Sequence, residues 1–288
     1  MVIFPLAVWK ALANLSLLWT LRIYGAMITN FVEPDQNQRD RMSVVDGFLK
    51  ACSSAHDLDI DHVSFSSIIS TNYAPCFVDP TSLWNSPHLV FKNITSFSFF
   101  GRSSHDIAFF SNCLTGASNT LRRLKWSTGH KNHYAPSVMA QRVTQKIVNA
   151  TKEPKPRGLG MLESLELWDG MPFTDQNIAD ILDALSSPLK ELSVVESGFE
   201  DMALAALLRQ PHSQKTAQEG VLGAETGSKT EEESTSTLAQ PQQTYQTLRP
   251  PHCTTLQRLD LTDCPYLTTE MVQQIRDACP NLKELIGM

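Results

Sequence analysis

The residues of this chain whose types could support chemistry are six cysteines, a histidine pair and one glycine-containing stretch. The cysteines include no C-x2-C pair and no grouping with histidine at the spacing of a zinc site. Two of them occupy inward positions of a repeating pattern, where cysteine acts as a small hydrophobic residue. We therefore expect these two thiols to be buried and unreactive, with no bound metal and a reducing compartment. The two are Cys264 and Cys279, and the others are Cys52, Cys76, Cys113 and Cys253.

The glycine-containing stretch and the histidine pair are weak candidates for a site. Residues 223–230 read GAETGSKT, close to the phosphate-binding pattern G-x4-G-K-[ST], but Ser228 stands where the second glycine is needed. His130 and His133 form H-x2-H without the glutamate of a metalloprotease helix. No G-x-S-x-G motif and no dinucleotide-binding loop occurs in the sequence. We therefore expect no enzymatic activity and no cofactor.

Binding features are better represented, because the chain repeats a leucine pattern. Its clearest copy starts at Cys253 and reads C-x2-L-x2-L-x-L-x2-C, and the pattern returns after 26 residues at Cys279. The alternation of Leu259 and Leu261 predicts a strand, and the apolar spacing from Met271 to Cys279 predicts a helix. One strand and one helix cannot bury their own apolar faces, so the repeat requires stacked copies.

Earlier copies of the pattern extend through most of the chain. The spacing from 94 to 121 and from 162 to 189 is 27 residues, and from 256 to 282 it is 26 residues. Longer gaps after 121 and 189 leave insertions of about 14 and about 40 residues. The copies start at Leu18, Ile94, Leu121, Leu162, Leu189, Leu256 and Leu282, with a degraded copy at Leu58 and Ile60.

The larger insertion divides the chain into three parts. Residues 210–251 contain no Phe or Trp and are rich in Gln, Ser, Thr, Glu, Gly and Pro. Such a segment cannot bury enough apolar surface to offset its chain entropy, so we expect it to be disordered. Residues 1–209 are predicted to form the first repeats, irregular at the N-terminus, and 252–288 to continue the same stack.

Helix signals fall between the predicted strands. Thr174 is a candidate N-cap for the segment that follows it. Pro136 can begin another helix, with an apolar stripe on one side. Further helices are predicted at 4–15, 106–114 and 199–208. The stripe of the Pro136 helix comprises Val138, Met139, Val143 and Ile147, and that of the first helix Phe4, Val8, Leu12 and Leu15.

This repeat resembles the cysteine-containing leucine-rich repeats in the substrate-receptor half of F-box proteins. The resemblance implies an α/β leucine-rich-repeat solenoid of the ribonuclease-inhibitor class, with a parallel sheet on the concave face and helices on the convex face. It also implies substrate recognition in an SCF-type ubiquitin ligase. No F-box is visible before the first repeat, so a Skp1/cullin partner would require an F-box supplied elsewhere. The alternative is a leucine-rich-repeat scaffold or regulator unconnected to ubiquitin.

In such a solenoid, residues that alternate with the inward leucines face the concave side. Phe100 and Trp168 are large aromatic residues at these positions, with a basic strand between them. Aromatic residues and arginine dominate the energetics of protein interfaces. The candidate protein-binding residues are therefore Tyr24, Phe100, Arg123, Lys125, Glu166, Trp168, Arg258 and Asp260.

Charge is unevenly placed along a chain of net charge −6. Residues 107–162 hold nine basic residues and the single acid Glu153, which allows an acidic or phosphorylated protein ligand or an ordinary solvated surface. The same segment raises the alternative of nucleic-acid binding. The last part of the chain, 163–288, has 20 acidic and 8 basic residues and would repel a long polyanion.

The two ends of the chain are apolar. Lys10 and Arg22 interrupt the N-terminal stretch, and no run of 18 apolar residues occurs, so we expect no membrane anchor and a cytoplasmic or nuclear protein. At the other end, Leu282 and Leu285 begin a new strand just before the last residue. We therefore expect the stack to continue in a longer chain or to be covered by a partner.

Overall fold

A computed structural model describes most of the repeats. The larger predicted insertion, the glycine-containing stretch, His130, His133 and Cys76 lie outside the described residues. The described residues are 2–3, 6–15, 18–29, 44–61, 63–66, 91–101, 104–127, 136–152, 158–168, 173–209 and 252–287.

The predicted strands of all the leucine copies are confirmed, and they form one parallel sheet of eight strands. Each strand pairs with the strand of the next copy, and equivalent positions lie opposite each other, as in the row Leu124, Leu165, Leu192. The sheet is open rather than closed into a barrel. Its strands are β2 (Thr20–Tyr24), β4 (Asp57–Asp61), β6 (Ser96–Phe100), β7 (Arg123–Ser127), β8 (Ser164–Trp168), β9 (Glu191–Val194), β10 (Arg258–Asp260) and β11 (Glu284–Ile286).

Helices alternate with these strands, so the fold is α/β. The predicted start at Pro136 is confirmed, and Thr174 caps its helix through a reciprocal pair of hydrogen bonds with Asn177. None of the helices in the described part of the chain is long and apolar enough to cross a membrane. The helices are α1 (Leu6–Ala13), α2 (Val44–Ser53), α3 (Ser104–Ala117), α4 (Pro136–Lys152), α5 (Asp175–Ala184), α6 (Asp201–Leu208) and α7 (Thr269–Ala278).

Two of the predicted helix stripes need correction. Val138 is 46% exposed on α4, because the residues of that helix that face the core are Met139, Val143 and Ile147. On α1 the buried residue is Trp9, whose ring packs edge-on against Phe48. Val8 and Leu15 of the predicted stripe are exposed, and Leu12 packs partly buried against the core. Phe4 lies outside the described residues.

A second, smaller sheet was not predicted. It contains the three parallel strands β1 (Val2–Ile3), β3 (Ala26–Thr29) and β5 (Ser64–Ser66) in the order β1-β3-β5. Strand β3 follows β2 after Gly25 alone, and Gly25 has φ +64°, a conformation that glycine adopts without strain. The first repeats therefore differ from the later ones by an added strand.

The core lies between the large sheet and the helices. The alternating apolar residues of the strands point into it, from Leu21 and Ile23 in β2 to Leu259 in β10. Aromatic rings fill the middle, where Trp126 contacts Phe110 with ring centroids 4.6 Å apart. Burial of these side chains provides most of the favourable free energy of folding, and each repeat buries them only by stacking on its neighbours.

Side-chain hydrogen bonds also join successive repeats. The hydroxyls of Thr120 and Thr255 each donate to a carbonyl of the preceding copy, at Ile94 and Leu189, over 2.7 Å. Between α5 and α6, the carboxylate of Asp175 accepts backbone N–H bonds from Glu200, just before α6, and from Met202 and Ala203 in its first turn. These bonds satisfy backbone groups that would otherwise have no partner at the helix start.

His252 joins the repeat that follows residue 251 to the one before residue 210. Its side chain is 2% exposed. The ring nitrogen Nδ1 accepts from the Leu189 N–H over 3.2 Å, so Nε2 carries the proton and donates to the Leu182 carbonyl over 3.0 Å. The imidazole therefore connects two segments that lie far apart in sequence.

We expect His252→Ala to lower the free energy of unfolding by about 2–4 kcal/mol, because it opens a cavity and removes the acceptor of the buried Leu189 N–H. The measurement is chemical denaturation followed by circular dichroism. Tyr266→Ala is the control, since Tyr266 is 59% exposed and should cost less than about 0.5 kcal/mol. Equal losses in the two variants would contradict the proposed role of His252.

Candidate functional site

The strand residues that alternate with the buried ones form the face of the large sheet opposite the helices, which we call the open face. Its side chains lie in rows across the strands, because the register places equivalent positions opposite each other. Seven of the predicted binding residues lie on it with side chains exposed or partly exposed: Tyr24, Arg123, Lys125, Glu166, Trp168, Arg258 and Asp260.

Phe100 is the exception, and its predicted exposure is wrong. It is 8% exposed, and it follows the buried Phe99 directly, so the alternation of buried and exposed residues ends at the end of β6. Alternation predicts the side of the sheet on which a side chain lies, but it does not predict whether neighbouring segments cover that side chain. Ser164 on β8 is also buried at a position of the same face.

The centre of the open face is a cluster of Lys125, Glu166 and Trp168. The ammonium of Lys125 lies 3.3 Å from Glu166 Oε2 and 3.8 Å from the centroid of the Trp168 ring. The indole N–H of Trp168 donates to the same glutamate oxygen over 3.1 Å. An ion pair, a cation–π contact and a hydrogen bond thus fix a tryptophan that is still 37% exposed.

Two more ion pairs cross the open face. Arg123 on β7 reaches Asp57 on β4 over 3.6 Å, and the small Ser96 lies between them on β6. Arg258 on β10 pairs with Glu284 on β11 over 3.3 Å. Each contact between such exposed groups contributes about 1 kcal/mol or less to stability. Their main consequence is that these basic residues already have carboxylate partners.

Tyr24 lies near one edge of the sheet. Its hydroxyl donates to Asp59 Oδ2 on β4 over 2.8 Å. The hydrogen bond to Asp59 raises the pKa of Tyr24, with burial and the negative charge of Asp59 acting in the same direction. The phenol therefore stays neutral and acts as a hydrogen-bond donor at this position.

A second network lies at the amino-terminal ends of the strands. Glu163 pairs with Arg122 over 2.9 Å and with Lys190 over 3.1 Å. The hydrogen bond from Lys190 is the main reason that the pKa of Glu163 is lowered, and Arg122 adds to the effect. One carboxylate therefore links three successive repeats, and the leucine pattern gave no indication of it.

The basic residues of 107–162 that the structure describes do not lie on one surface. Arg123 and Lys125 are on the open face, whereas Arg142, Lys146 and Lys152 lie on α4, on the other side of the sheet. A long polyanion needs a continuous basic stripe, which this arrangement does not provide.

The helical side of the molecule contains a shallow groove of about 340 Å³ between α5 and α6. Two of its lining residues, Arg209 and Asp183, form an ion pair 2.7 Å long. Within the described ranges, no three His, Cys, Asp or Glu residues are placed to hold a metal ion. The groove is lined by Gln176, Ala179, Asp183, Asp201, Met202, Ala205 and Arg209.

The predicted burial of Cys264 and Cys279 is confirmed. The thiol of Cys264 donates to the Val194 carbonyl over 3.0 Å, which links β9 to the next repeat. Burial raises the pKa of Cys279 to about 12 and also raises the pKa of Cys264. Both thiols therefore remain protonated at neutral pH and make poor nucleophiles.

Comparison of this chain with models of protein families, with curated proteins and with solved structures found no match. The interpretation of the open face therefore depends on its own geometry. Several residues that shape it, above all Asp57 and Asp59, were not among the predicted site residues. The alternation along β4 predicts that both lie on the open face, but their pairing with Arg123 and Tyr24 depends on the register between strands.

We expect Glu163→Gln to lower the free energy of unfolding by less than about 1 kcal/mol at pH 7, because the lost pairs are partly exposed. The pKa of Glu163 is lowered in the folded chain. Its contribution to stability is therefore present above its unfolded pKa of about 4.3 and is lost as the pH falls through the lowered pKa. Denaturation of wild type and variant between pH 7 and pH 3 should show the difference shrinking toward zero. Glu191→Gln is the control. A difference in unfolding free energy between wild type and Glu163→Gln that persists at pH 3 would contradict the lowered pKa of Glu163.

We expect Cys264 and Cys279 to react with a thiol reagent only after unfolding, because the native chain buries both thiols. The measurement is labelling in native buffer and in denaturant, with each site quantified by peptide mass spectrometry. Labelling of either cysteine in native buffer as fast as in denaturant would show that the site opens readily.

Proposed function

We propose that this protein is a leucine-rich-repeat solenoid that binds another protein through the open face of its sheet. The period of 26–27 residues, the one-strand-per-copy register and the alternating helices support this interpretation. In such a solenoid the open face is the inner surface of the curve, and partner proteins bind there.

The observation that carries the proposal is the fixed, partly exposed Trp168. Tryptophan is enriched at the energetic centres of interfaces, because it buries a large area at a small cost in conformational entropy. Lys125 and Glu166 hold this ring in place before any partner arrives. A group that is ordered in the free protein loses little further entropy on binding.

The more specific proposal is substrate recognition in an SCF-type ubiquitin ligase. Its support is the resemblance of the repeat, including Cys264 and Cys279, to the repeats of F-box substrate receptors. The alternative is a leucine-rich-repeat scaffold or regulator without a link to ubiquitin. Affinity capture scored for Skp1 and cullin subunits distinguishes the two hypotheses. Only substrate recognition in a ubiquitin ligase predicts that those subunits are captured together with a substrate.

We expect Trp168→Ala to weaken capture of the partner by about 2–4 kcal/mol, the usual cost of truncating an interface centre. The same change should cost little stability, because the ring is 37% exposed. Captured proteins are quantified by mass spectrometry, and stability is measured by thermal denaturation.

Met202→Ala is the matched control, since Met202 is 47% exposed on the helical side. It should leave capture unchanged. Phe100→Ala should instead destabilise the fold by about 3 kcal/mol or more, because its ring is buried. Capture that survives Trp168→Ala and fails with Met202→Ala would place the binding surface on the helices and overturn the proposal.

A further inference from the structure

The open face carries more negative than positive charge. Its positions in the described strands include seven carboxylates and four cations, which gives a net charge of −3. The open face is therefore negatively charged overall, although strand β7 is basic. The carboxylates are Asp57, Asp59, Asp61, Glu166, Glu191, Asp260 and Glu284, and the cations are Arg22, Arg123, Lys125 and Arg258.

Most of the cations are already neutralised within the face. Lys125 is held by Glu166, Arg123 by Asp57 and Arg258 by Glu284. An acidic or phosphorylated partner would have to break these pairs or compete with them. Such a partner would also face the surplus of carboxylates, and like charges brought together at an interface oppose binding.

Two carboxylates of the middle row are available to a partner. Asp59 accepts a hydrogen bond on Oδ2 only, and Asp260 accepts bonds on Oδ1 only, so each has an oxygen with no partner in the described part of the chain. Neither forms an ion pair with a described lysine or arginine, although Arg22 on β2 lies opposite Asp59 in the strand register. Both are therefore acceptors for an external cation.

The register between strands defines the distance between Asp59 and Asp260. Asp59 and Asp260 lie in one row, which passes through Ser98, Lys125, Glu166 and Ser193. Five strand spacings separate them, about 24 Å, which equals about seven residues of extended polypeptide. Between these acidic positions the row holds two serines and a neutral ion pair next to Trp168.

We infer that the partner bound by the open face presents an extended segment with basic residues at both ends and uncharged residues between them. The ends contact Asp59 and Asp260, and the middle crosses the sheet over Trp168. This inference rests on the proposed function and specifies the chemistry of its ligand. It is the opposite of the acidic or phosphorylated ligand that the basic segment 107–162 raised as an alternative.

The probe is a labelled peptide of about eleven residues. It has two arginines at each end and about seven glycines and serines between the two pairs. Matched peptides carry glutamate or phosphoserine at the same four positions. Binding to the full chain is measured by fluorescence anisotropy at low and at physiological ionic strength. We expect the arginine peptide to bind most tightly and to weaken as salt screens the charges.

Two double variants make the test specific for the face. Asp59→Asn with Asp260→Asn keeps the hydrogen-bond acceptors for Tyr24 and Thr262 but removes both charges, and it should weaken the arginine peptide about tenfold. The control is Asp180→Asn with Asp277→Asn, which removes the same charge from exposed positions on α5 and α7 and should have no effect.

The inference is overturned if the phosphoserine peptide binds more tightly, if the arginine peptide does not bind, or if both double variants weaken it equally. These outcomes are separate from failure of the proposed function. If capture of a partner requires Trp168 but survives Asp59→Asn with Asp260→Asn, the proposed protein binding holds and only the inference of a basic ligand is contradicted. Loss of capture in that double variant, with normal capture by the control, supports both.

Discussion

The constraint on which the rest of the structure depends is that no single repeat can bury its own apolar residues. Each strand contributes two inward side chains and each helix one stripe, and both become buried only when the next repeat stacks on them. Stacking fixes the register, because a shift by one residue would turn Leu165 and Leu167 to solvent. The same register sets the rows of the open face, so the core determines which polar groups meet on the opposite side.

This dependence explains why polar contacts between repeats matter beyond their individual free energies. Thr120, Thr255, Asp175 and His252 satisfy backbone groups at the junctions, where a missing partner costs more than a hydrogen bond contributes. His252 has the most demanding position, because it closes the junction across residues 210–251.

Much of the fold could be predicted from the sequence, because leucine spacing reports burial directly. The strand positions from Leu21 to Leu285, the helix start at Pro136 and the N-cap at Thr174 follow from local patterns. The exposure of Val138 and the burial of Phe100 could not be predicted, because both depend on the neighbours that cover a side chain. Alternation placed Lys125, Glu166 and Trp168 on the open face, but their mutual contacts depend on the register between strands.

We propose that a partner binds across the open face at Trp168 rather than on the helices. Hydroxyl-radical footprinting of the chain, free and bound to its captured partner, tests this claim most directly, because it reports the exposure of each aromatic and methionine side chain. We expect oxidation of Trp168 to fall strongly in the complex, while oxidation of Met202 on α6 stays the same. Protection of Met202 with unchanged oxidation of Trp168 would contradict it.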